Sequence, residues 1–592
     1  MTRSTPPAAP PGGRRRRRLL AALLTFFVVL AAACGSDDDS ADESAQDPAD
    51  ATTSTLATDD GGAPTNGGTA VVALVQEPGS FNLFHSKQSG AFLNALAIEP
   101  LFGLGADGTY EPYLAAEVPT MENGGISPDG LTVTYRLREG ITWSDGEPFT
   151  AHDMVFTWEA TLDEGSRFEP HPAFWSVESL EATDDLTAVA TMYEPTPGYL
   201  AMWRDVLPAH LHEDTAVTSD DPDAEMPLGT GPFVFDSWQR GDTVTLVRNE
   251  NYWRDPELPR LDGISLKVTP DHQTAMASFI DGEYDAVYFI TSGDLAPLQD
   301  AAESGAPIVV EPSERVGAVE WLWLNQTAGE DPSVPHPVLS DLAIREAIDL
   351  GIDRELIIDS VLDGNASVVG NSLLYLGQYT YDVEPNGYDP DAAAAVLDEA
   401  GWEMGPDGVR VRDGVEARLR FTTVSGDQVR ELYQQIIQQN LADIGIAVDI
   451  ENAPSDLLFA GYTDGGMIAS GDFDIAMSRE GEIADPTDFA YIDLFTCSWI
   501  ASPDNPEGWA YTRWCNEEFD AHVATAASTL DPAVRGPEYE AAVEIFAEAK
   551  PALAVYASGL GDAWNDRLAG VSNDGFDGMW SPGAAADWYL AG

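Results

Sequence analysis

The residues that could do chemistry in this chain are spaced in ways that argue against catalysis. Eight histidines are scattered along 592 residues, and the one close pair is His210-Leu211-His212. A zinc site needs three or four converging ligands, which such a pair does not supply, so no metal is expected. No Gly-x-Ser-x-Gly elbow is present to expose a nucleophilic serine. Asp472 and Asp474 could in principle serve as the carboxylate pair of a glycosidase. With 100 acidic residues in the chain, however, such pairs arise by chance and read as solvated surface. Gly229-Thr230-Gly231 runs into Pro232 and a β-type segment rather than a helix, so it is not a phosphate loop. The expectation is a protein without cofactor or catalytic centre.

Three cysteines have separable roles. Arg14–Arg18 followed by the apolar stretch Leu19–Ala33 has the length of a signal-peptide core, shorter than the roughly twenty residues of a membrane span. It ends Leu30-Ala31-Ala32-Ala33-Cys34-Gly35, which resembles a bacterial lipobox, although Ala31 stands where leucine is usual. In that reading Cys34 is acylated and holds the chain on the outer face of the cell membrane; a plain Ala-x-Ala secretory cut is the alternative. Sec and twin-arginine export both remain open. Cys497 and Cys515 are then an even pair in an oxidising compartment, which predicts a disulfide. Closing that loop stabilises by about 3 kcal/mol in the chain-entropy view.

Ser36–Gly68 is rich in Asp, Ser, Thr, Ala, Gly and Pro and nearly lacks large apolar residues, so it is expected to be a disordered tether. The formal net charge of −71 excludes a nucleic-acid binder, because phosphate contacts need clustered Lys and Arg. Lysine occurs only at Lys87, Lys267 and Lys550. A lysine-poor acidic coat suits a saline exterior; a GC-rich genome that replaces Lys with Arg would give the same composition.

The elements that must position any site alternate between short strands and amphipathic helices. Strands are predicted at Thr69–Val75, Leu131–Arg138, Thr243–Arg248, Tyr284–Ile290, Val319–Asn325 and Ile446–Ile450. Helices are predicted at Gln273–Ile280, Leu342–Leu350, Arg354–Leu362 (capped by Asp353), Ala392–Ala400, Gln428–Ile444 and Pro537–Lys550. Thr150 with Asp153 three residues on is a capping-box-like helix start, with Val155, Phe156 and Trp158 as its apolar bulk. In Gln428–Ile444 the stripe Leu432, Tyr433, Ile436, Ile437, Leu441 is expected to face inward. Strands joined to helices through short Gly turns give α/β lobes. The absence of one sharp linker suggests lobes built from discontinuous segments.

Four stretches carry a family resemblance, in order along the body. They are Ser127-Pro-Asp-Gly through Asp153-Met-Val-Phe156; Gly229-Thr-Gly-Pro-Phe233 with Asn249-Glu-Asn-Tyr-Trp253; Ile344-Arg-Glu-Ala through Ile352-Asp-Arg354; and Tyr388-Asp-Pro-Asp through Ala400-Gly-Trp402. The chain resembles the bacterial extracytoplasmic solute-binding proteins of family 5, the dipeptide, oligopeptide and nickel-binding group. The resemblance implies a bilobal periplasmic-binding-protein-like clamp (type II, the large cluster C form) with an extra small domain in the first lobe. It divides the chain into a signal peptide with lipobox (1–34), a tether (35–68), a lobe I core (69–105, 210–315 and 556–592), a small domain (106–209) and lobe II (316–555).

The same resemblance implies a monomeric binding protein, not an enzyme. It would deliver a peptide to an ABC permease and its ATPase by hinge closure. A peptide would lie extended between the lobes, paired through its backbone. In such relatives an acid four residues before a proline on the second lobe meets the ligand's ammonium. In Ser478-Arg-Glu-Gly-Glu-Ile-Ala-Asp-Pro-Thr-Asp-Phe489 that position is Glu482, where the family uses Asp; Asp485 is the alternative. Ser478, Arg479 and Glu480 flank it, Gln88, Ser89 and Gly90 are the lobe I counterpart, and Trp323 could wall a side-chain pocket or pack in the core. The clamp could instead hold an oligosaccharide, a nickel chelate or an opine-like solute, and a cell-surface hydrolase is the remaining alternative.

Overall fold

The structure is a computed structural model that describes residues 65–592 except 87–88, 168–170, 289, 291, 330, 363, 374–378, 482–484, 488–491, 507, 574–575 and 592. Cys34, the signal segment and nearly all of the tether therefore lie outside the described residues. The tether's last residues are not loose. Thr65 Oγ1 donates to Leu590 O (2.7 Å), Gly67 N to Arg260 O (2.8 Å) and Gly68 N to Asp262 Oδ2 (2.9 Å). Composition alone placed these three residues in the disordered segment; their backbone and hydroxyl donors find acceptors on the body instead.

Ten strands form one mixed sheet: β1 (Thr69–Leu74), β2 (Phe233–Gln239), β3 (Thr243–Arg248), β4 (Gly263–Val268), β5 (Ala286–Tyr288), β6 (Ile308–Leu324), β7 (Arg418–Thr422), β8 (Ala447–Ile450), β9 (Ile475–Gly481) and β10 (Ala552–Asn565). Their spatial order is β8-β7-β9-β6-β10-β5-β1-β4-β3-β2. The two ends of this order are separate half-sheets. β7 pairs in parallel with β8 and β9, and β1 pairs in parallel with β4 and β5. Only β6 and β10 run through both halves, antiparallel to each other from Ile308↔Asn565 to Trp323↔Ala552.

That ribbon is where the molecule divides into two lobes. Its register slips between Pro312 and Val316, between Val316 and Ala318, and between Glu320 and Trp321. Each slip leaves residues outside the ladder and bends the strand. On one side of the slips β10 meets β5 at Ala286↔Trp564; on the other, β6 pairs with β9 from Ala318↔Gly481 to Leu324↔Ile475. The sequence pattern predicted only Val319–Asn325 of β6. The bulged part carries Pro312-Ser-Glu-Arg-Val-Gly317, which has no period-two pattern to find.

Separate apolar cores match this division. Val72, Leu74, Phe233, Leu246, Ile264, Trp564 and Trp588 bury together in the first lobe. Tyr135, Trp143, Phe149, Phe174 and Trp203 fill a core within the small domain. The second lobe buries Ile348, Trp402, Tyr433 and Leu441 on one face of its half-sheet and Trp321, Trp323, Phe495, Trp514 and Phe546 on the other. The small domain leans across toward the second lobe: a Cβ on Gly130 would stand 3.4 Å from Pro195 and 3.9 Å from Leu530.

In the small domain the strands Thr132–Arg136, Thr187–Met192 and Val177–Asp184 form an antiparallel sheet against the helix Ala151–Leu162. Thr150 and Asp153 make a reciprocal capping box at its start. The helix buries Ala151, Asp153, Met154, Thr157, Ala160 and Thr161, and the half-buried Val155, Phe156 and Trp158 pack against the neighbouring apolar cores, as expected. A correction applies to Gln428–Asp443, whose Leu432 is 55% exposed while Tyr433, Gln434, Ile437 and Leu441 are buried. The inward stripe is thus rotated from Leu432 toward Arg430 and Gln434, which are buried because each bonds a buried partner. The Gly-Thr-Gly motif has a steric cause: a Cβ on Gly229 would stand 2.0 Å from Ala97 O, and Gly231 N donates to that same oxygen at 2.8 Å.

Candidate functional site

The second-lobe wall of the site is built by β9. It is central in its half-sheet, between β7 and β6, and it ends at Gly481 near the bulged ribbon, opposite Ala318. Alternation along β9 sends Ser478 and Glu480 to the face of Trp321 and Trp323, and Arg479 to the face of Glu320.

On the first face, Trp323 Nε1 donates to Ser478 Oγ (2.8 Å), which in turn donates to Glu480 Oε1 (3.1 Å). Trp323 is fully buried, stacked on Phe495 at 5.5 Å and edge-on to Tyr511 at 4.8 Å. Of its two expected roles, core packing is the one its surroundings support; it does not wall an open pocket. Glu480 is enclosed beside these aromatics. Burial pushes its carboxyl up to about 8, against the pull of the Ser478 hydroxyl, so it is protonated at neutral pH.

On the opposite face, Glu320 Oε1 and Oε2 accept from Arg430 Nε (2.8 Å) and Nη2 (3.1 Å). Arg479 Nε stands 3.4 Å from Glu320 Oε2, and its Nη2 donates to the Tyr556 hydroxyl at 2.8 Å. One carboxylate thus serves two buried guanidiniums. Burial opposes the charge on Arg430 and Arg479, but Glu320 and the tyrosines more than restore it and raise both. Arg479 is therefore engaged in the lobe's interior rather than presented to a ligand.

Asp485 is also engaged. Its two oxygens accept from Arg535 Nη1 and Nη2 at 2.7 Å each, and Oδ1 accepts from Thr487 Oγ1 at 2.6 Å. Burial alone would raise the Asp485 carboxyl, yet the facing guanidinium holds it below the usual range. Arg535 sits over the rings of Tyr379 (4.9 Å) and Tyr539 (5.3 Å). As the alternative ammonium anchor, Asp485 is thus corrected: its charge is already matched inside the lobe. Glu482 lies outside the described residues.

In the first lobe, Ser89 and Gly90 open the 3-10 helix Ser89–Leu96, and Gln88 lies outside the described residues. Gly90 is buried with the backbone of Gln76 against it; a Cβ there would be 2.2 Å from Gln76 O. Gly90 is therefore required for chain packing. The segment before it is held from below: Ser80 Oγ donates to Ala224 O (2.5 Å), Phe81 N to Glu225 O (2.9 Å) and Asn82 Nδ2 to Asp223 O (3.2 Å).

The remaining chemical candidates have structural partners. His210 bonds Asp145 at 2.8 Å, and Asp472 and Asp474 meet Arg420. Among the described residues no group of three or more His, Cys, Asp or Glu is placed to hold a metal ion. Cys497 and Cys515 are disulfide-bonded. Arg535, Glu320, Arg430 and Tyr556 were not singled out from sequence; Arg535 lies 50 residues from Asp485, Tyr556 77 from Arg479, and Arg430 110 from Glu320.

Residues 109–502 match the bacterial extracellular solute-binding proteins, family 5 (middle). The chain belongs to this family. It is 27% identical over 458 residues to Protein XP55 of Streptomyces lividans, covering 75% of this chain and 78% of that protein. It is 27% identical over 390 residues to the nickel-binding periplasmic protein of Escherichia coli, covering 64% and 70%. The solved structure of the Bacillus subtilis oligopeptide-binding protein AppA with a nonapeptide superposes with a TM-score of 0.65 at 22% identity, over 90% of this chain and all of that one. The last likeness establishes the shared bilobal fold. A family 5 protein is an extracellular binder of solutes.

Proposed function

We propose that this family 5 protein is the solute receptor of an ABC importer and that its solute is a peptide, oligopeptide or dipeptide. The reading is carried by the two-strand ribbon: lobes whose half-sheets are joined through β6 and β10, with register slips at the crossing, are built to close over a ligand. Binding energy that exists only in the closed form shifts the population toward it, and the permease would read that form. The lobe division at residues 316 and 555, with 106–209 as the small domain, is part of the proposal. So is the anchor at Cys34, which would keep the receptor on the outer face of the membrane.

Peptide is favoured over other solutes by β9, whose end at Gly481 offers an extended backbone for β-type pairing. Glu482, the next residue, would meet the peptide ammonium in a charge-assisted bond. The Arg535 guanidinium already matches the Asp485 charge, which supports Glu482 over Asp485 as the proposed anchor. A nickel chelate or another non-peptide solute is the competing content of the same clamp, because relatives with that fold are named for nickel and peptide alike.

Native mass spectrometry of the purified protein reads the solute class directly, since co-purified peptides appear as discrete mass additions. A binding comparison tests the anchor. Glu482→Ala should weaken a free-amine tripeptide at least about tenfold, the worth of one lost charge-assisted bond. The N-acetylated tripeptide should be nearly unaffected. Equal loss for both would reject the ammonium contact.

A further inference from the structure

Beneath the lobe I segment lies a cluster of ionisable groups that the binding reading does not use. His212 is buried to 1% side-chain exposure, with Nε2 3.6 Å from Asp223 Oδ2 and Nδ1 3.8 Å from Asp221 Oδ1. Among the described residues, neither imidazole nitrogen and neither oxygen of the buried Asp223 has a hydrogen-bond partner. The ring is stacked on Phe156 at 5.1 Å. A neutral imidazole between two carboxylates would leave Asp223 as an uncompensated buried charge, which is costly. A protonated one faces an acid on each side.

The same loop holds the segment that leads to Gly90. Asp223, Ala224 and Glu225 supply the carbonyls that accept from Asn82, Ser80 and Phe81. Asn82 Oδ1 then accepts from Phe84 N at 3.0 Å, and Asn82 O from His85 N at 2.9 Å. Whatever fixes Asp223 therefore fixes residues 80–86.

We propose that His212, Asp221 and Asp223 form a pH-sensitive pin that locks the first-lobe wall of the cleft when His212 is protonated and loosens it when it is not. The groups facing His212 are Asp221 and Asp223 from its own loop and His85 from the segment above; Phe156, from the small-domain helix, is uncharged. Burial by itself lowers His212, but the two carboxylates override it and the net direction is upward. His85 moves the other way: burial lowers it, and the nearby His212 adds to that against the two acids. His85 is thus the neutral member and His212 the charged one.

The sign follows from the raised value. The pin is fully in force below the ordinary histidine range, about 6.5, and is lost as pH rises through the higher folded value. An extracellular binder would then hold its lobe I wall most firmly in acid surroundings. The effect on solute capture rests on the function proposed above; the pin itself is read without any solute.

Hydrogen exchange of the full chain without added ligand tests it. After correction for intrinsic rates, protection of the amides of Phe81–Ser86 should fall severalfold between pH 6 and pH 9, in a single step that follows the loss of the His212 proton. His212→Gln should give low protection with no such step. Asp223→Asn should move the step to lower pH, because the carboxylate that raises His212 is gone. A flat wild-type profile, or the same step in His212→Gln, overturns the pin. Should the Gln variant fail to fold, an unshifted step in Asp223→Asn overturns it equally. Failure of the peptide reading would leave these amide profiles unchanged, so the two can fail separately.

Discussion

Glu480 and Asp485 lie five residues apart at the same wall of the second lobe, both are buried, and they carry opposite charge states. Asp485 faces Arg535 and is held ionised. Glu480 faces a serine and aromatic rings and is pushed up to about 8, so it is neutral. Desolvation acts on both in the same direction; the difference is a single guanidinium placed by a helix fifty residues further along. Burial without a countercharge neutralises an acid, and burial with one makes it a structural ion. Neither is then a free anion for a ligand: one has lost its charge and the other has it matched.

Removing the guanidinium should abolish the contrast and gives the largest effect. Arg535→Met leaves Asp485 buried and unpaired, and should cost about 3–5 kcal/mol in urea unfolding. Asp485→Asn combined with Arg535→Met should recover much of that loss, because no buried charge remains. In the wild type the pair stabilises fully above the ordinary aspartate range, about 3.9, and the contribution is lost as pH falls through the lower folded value. An unchanged urea midpoint for Arg535→Met would show that Asp485 is not charged in the native state.

The neutral partner predicts the opposite pH dependence. Because Glu480 titrates near 8 when folded and near 4.5 when unfolded, the native state binds the extra proton between those limits. Its favourable contribution is complete below the unfolded value and declines as pH rises toward 8. Glu480→Gln should therefore match the wild type at pH 5 to within about 1 kcal/mol and become progressively the more stable of the two toward pH 8. Parallel profiles for the two proteins across that range would mean that Glu480 is ionised in the folded protein, like its neighbour.

How much of this was legible in the sequence depends on the range of the interaction. The capping box at Thr150 and Asp153, the helix start at Asp353 and the strand Thr243–Arg248 are local, and the structure places them as the residue pattern predicts. The four stretches that resemble family 5 carried the fold as a whole. What failed was anything that depends on a partner far along the chain. β10 was not predicted, and its mostly small residues Ala552–Gly561 make sense only against β6. Leu432 fitted a helical stripe but is exposed, because the helix is turned by the distant Glu320 drawing in Arg430. Asp485 looked like a ligand group for the same reason: nothing near it in sequence announces Arg535. The last residues of the tether behaved likewise, docking on the carbonyls of Arg260 and Leu590 and the carboxylate of Asp262, which composition cannot reveal.

The smallest test sharpens the neutral half of the comparison. Ser478 is the one hydroxyl between the Trp323 indole and the Glu480 carboxyl. Ser478→Ala removes the acceptor for a buried indole N–H, and a lone unsatisfied donor of that kind costs about 1–3 kcal/mol. It also removes a hydrogen bond that favours the ionised form of Glu480, so the carboxyl should titrate at still higher pH. The two consequences are separable: the stability loss should be present at pH 5, while the pH-dependent decline should extend further into the alkaline range than in the wild type. A loss at pH 5 with an unmoved decline would place the Glu480 proton under the control of burial alone, and the serine would be only the partner of Trp323.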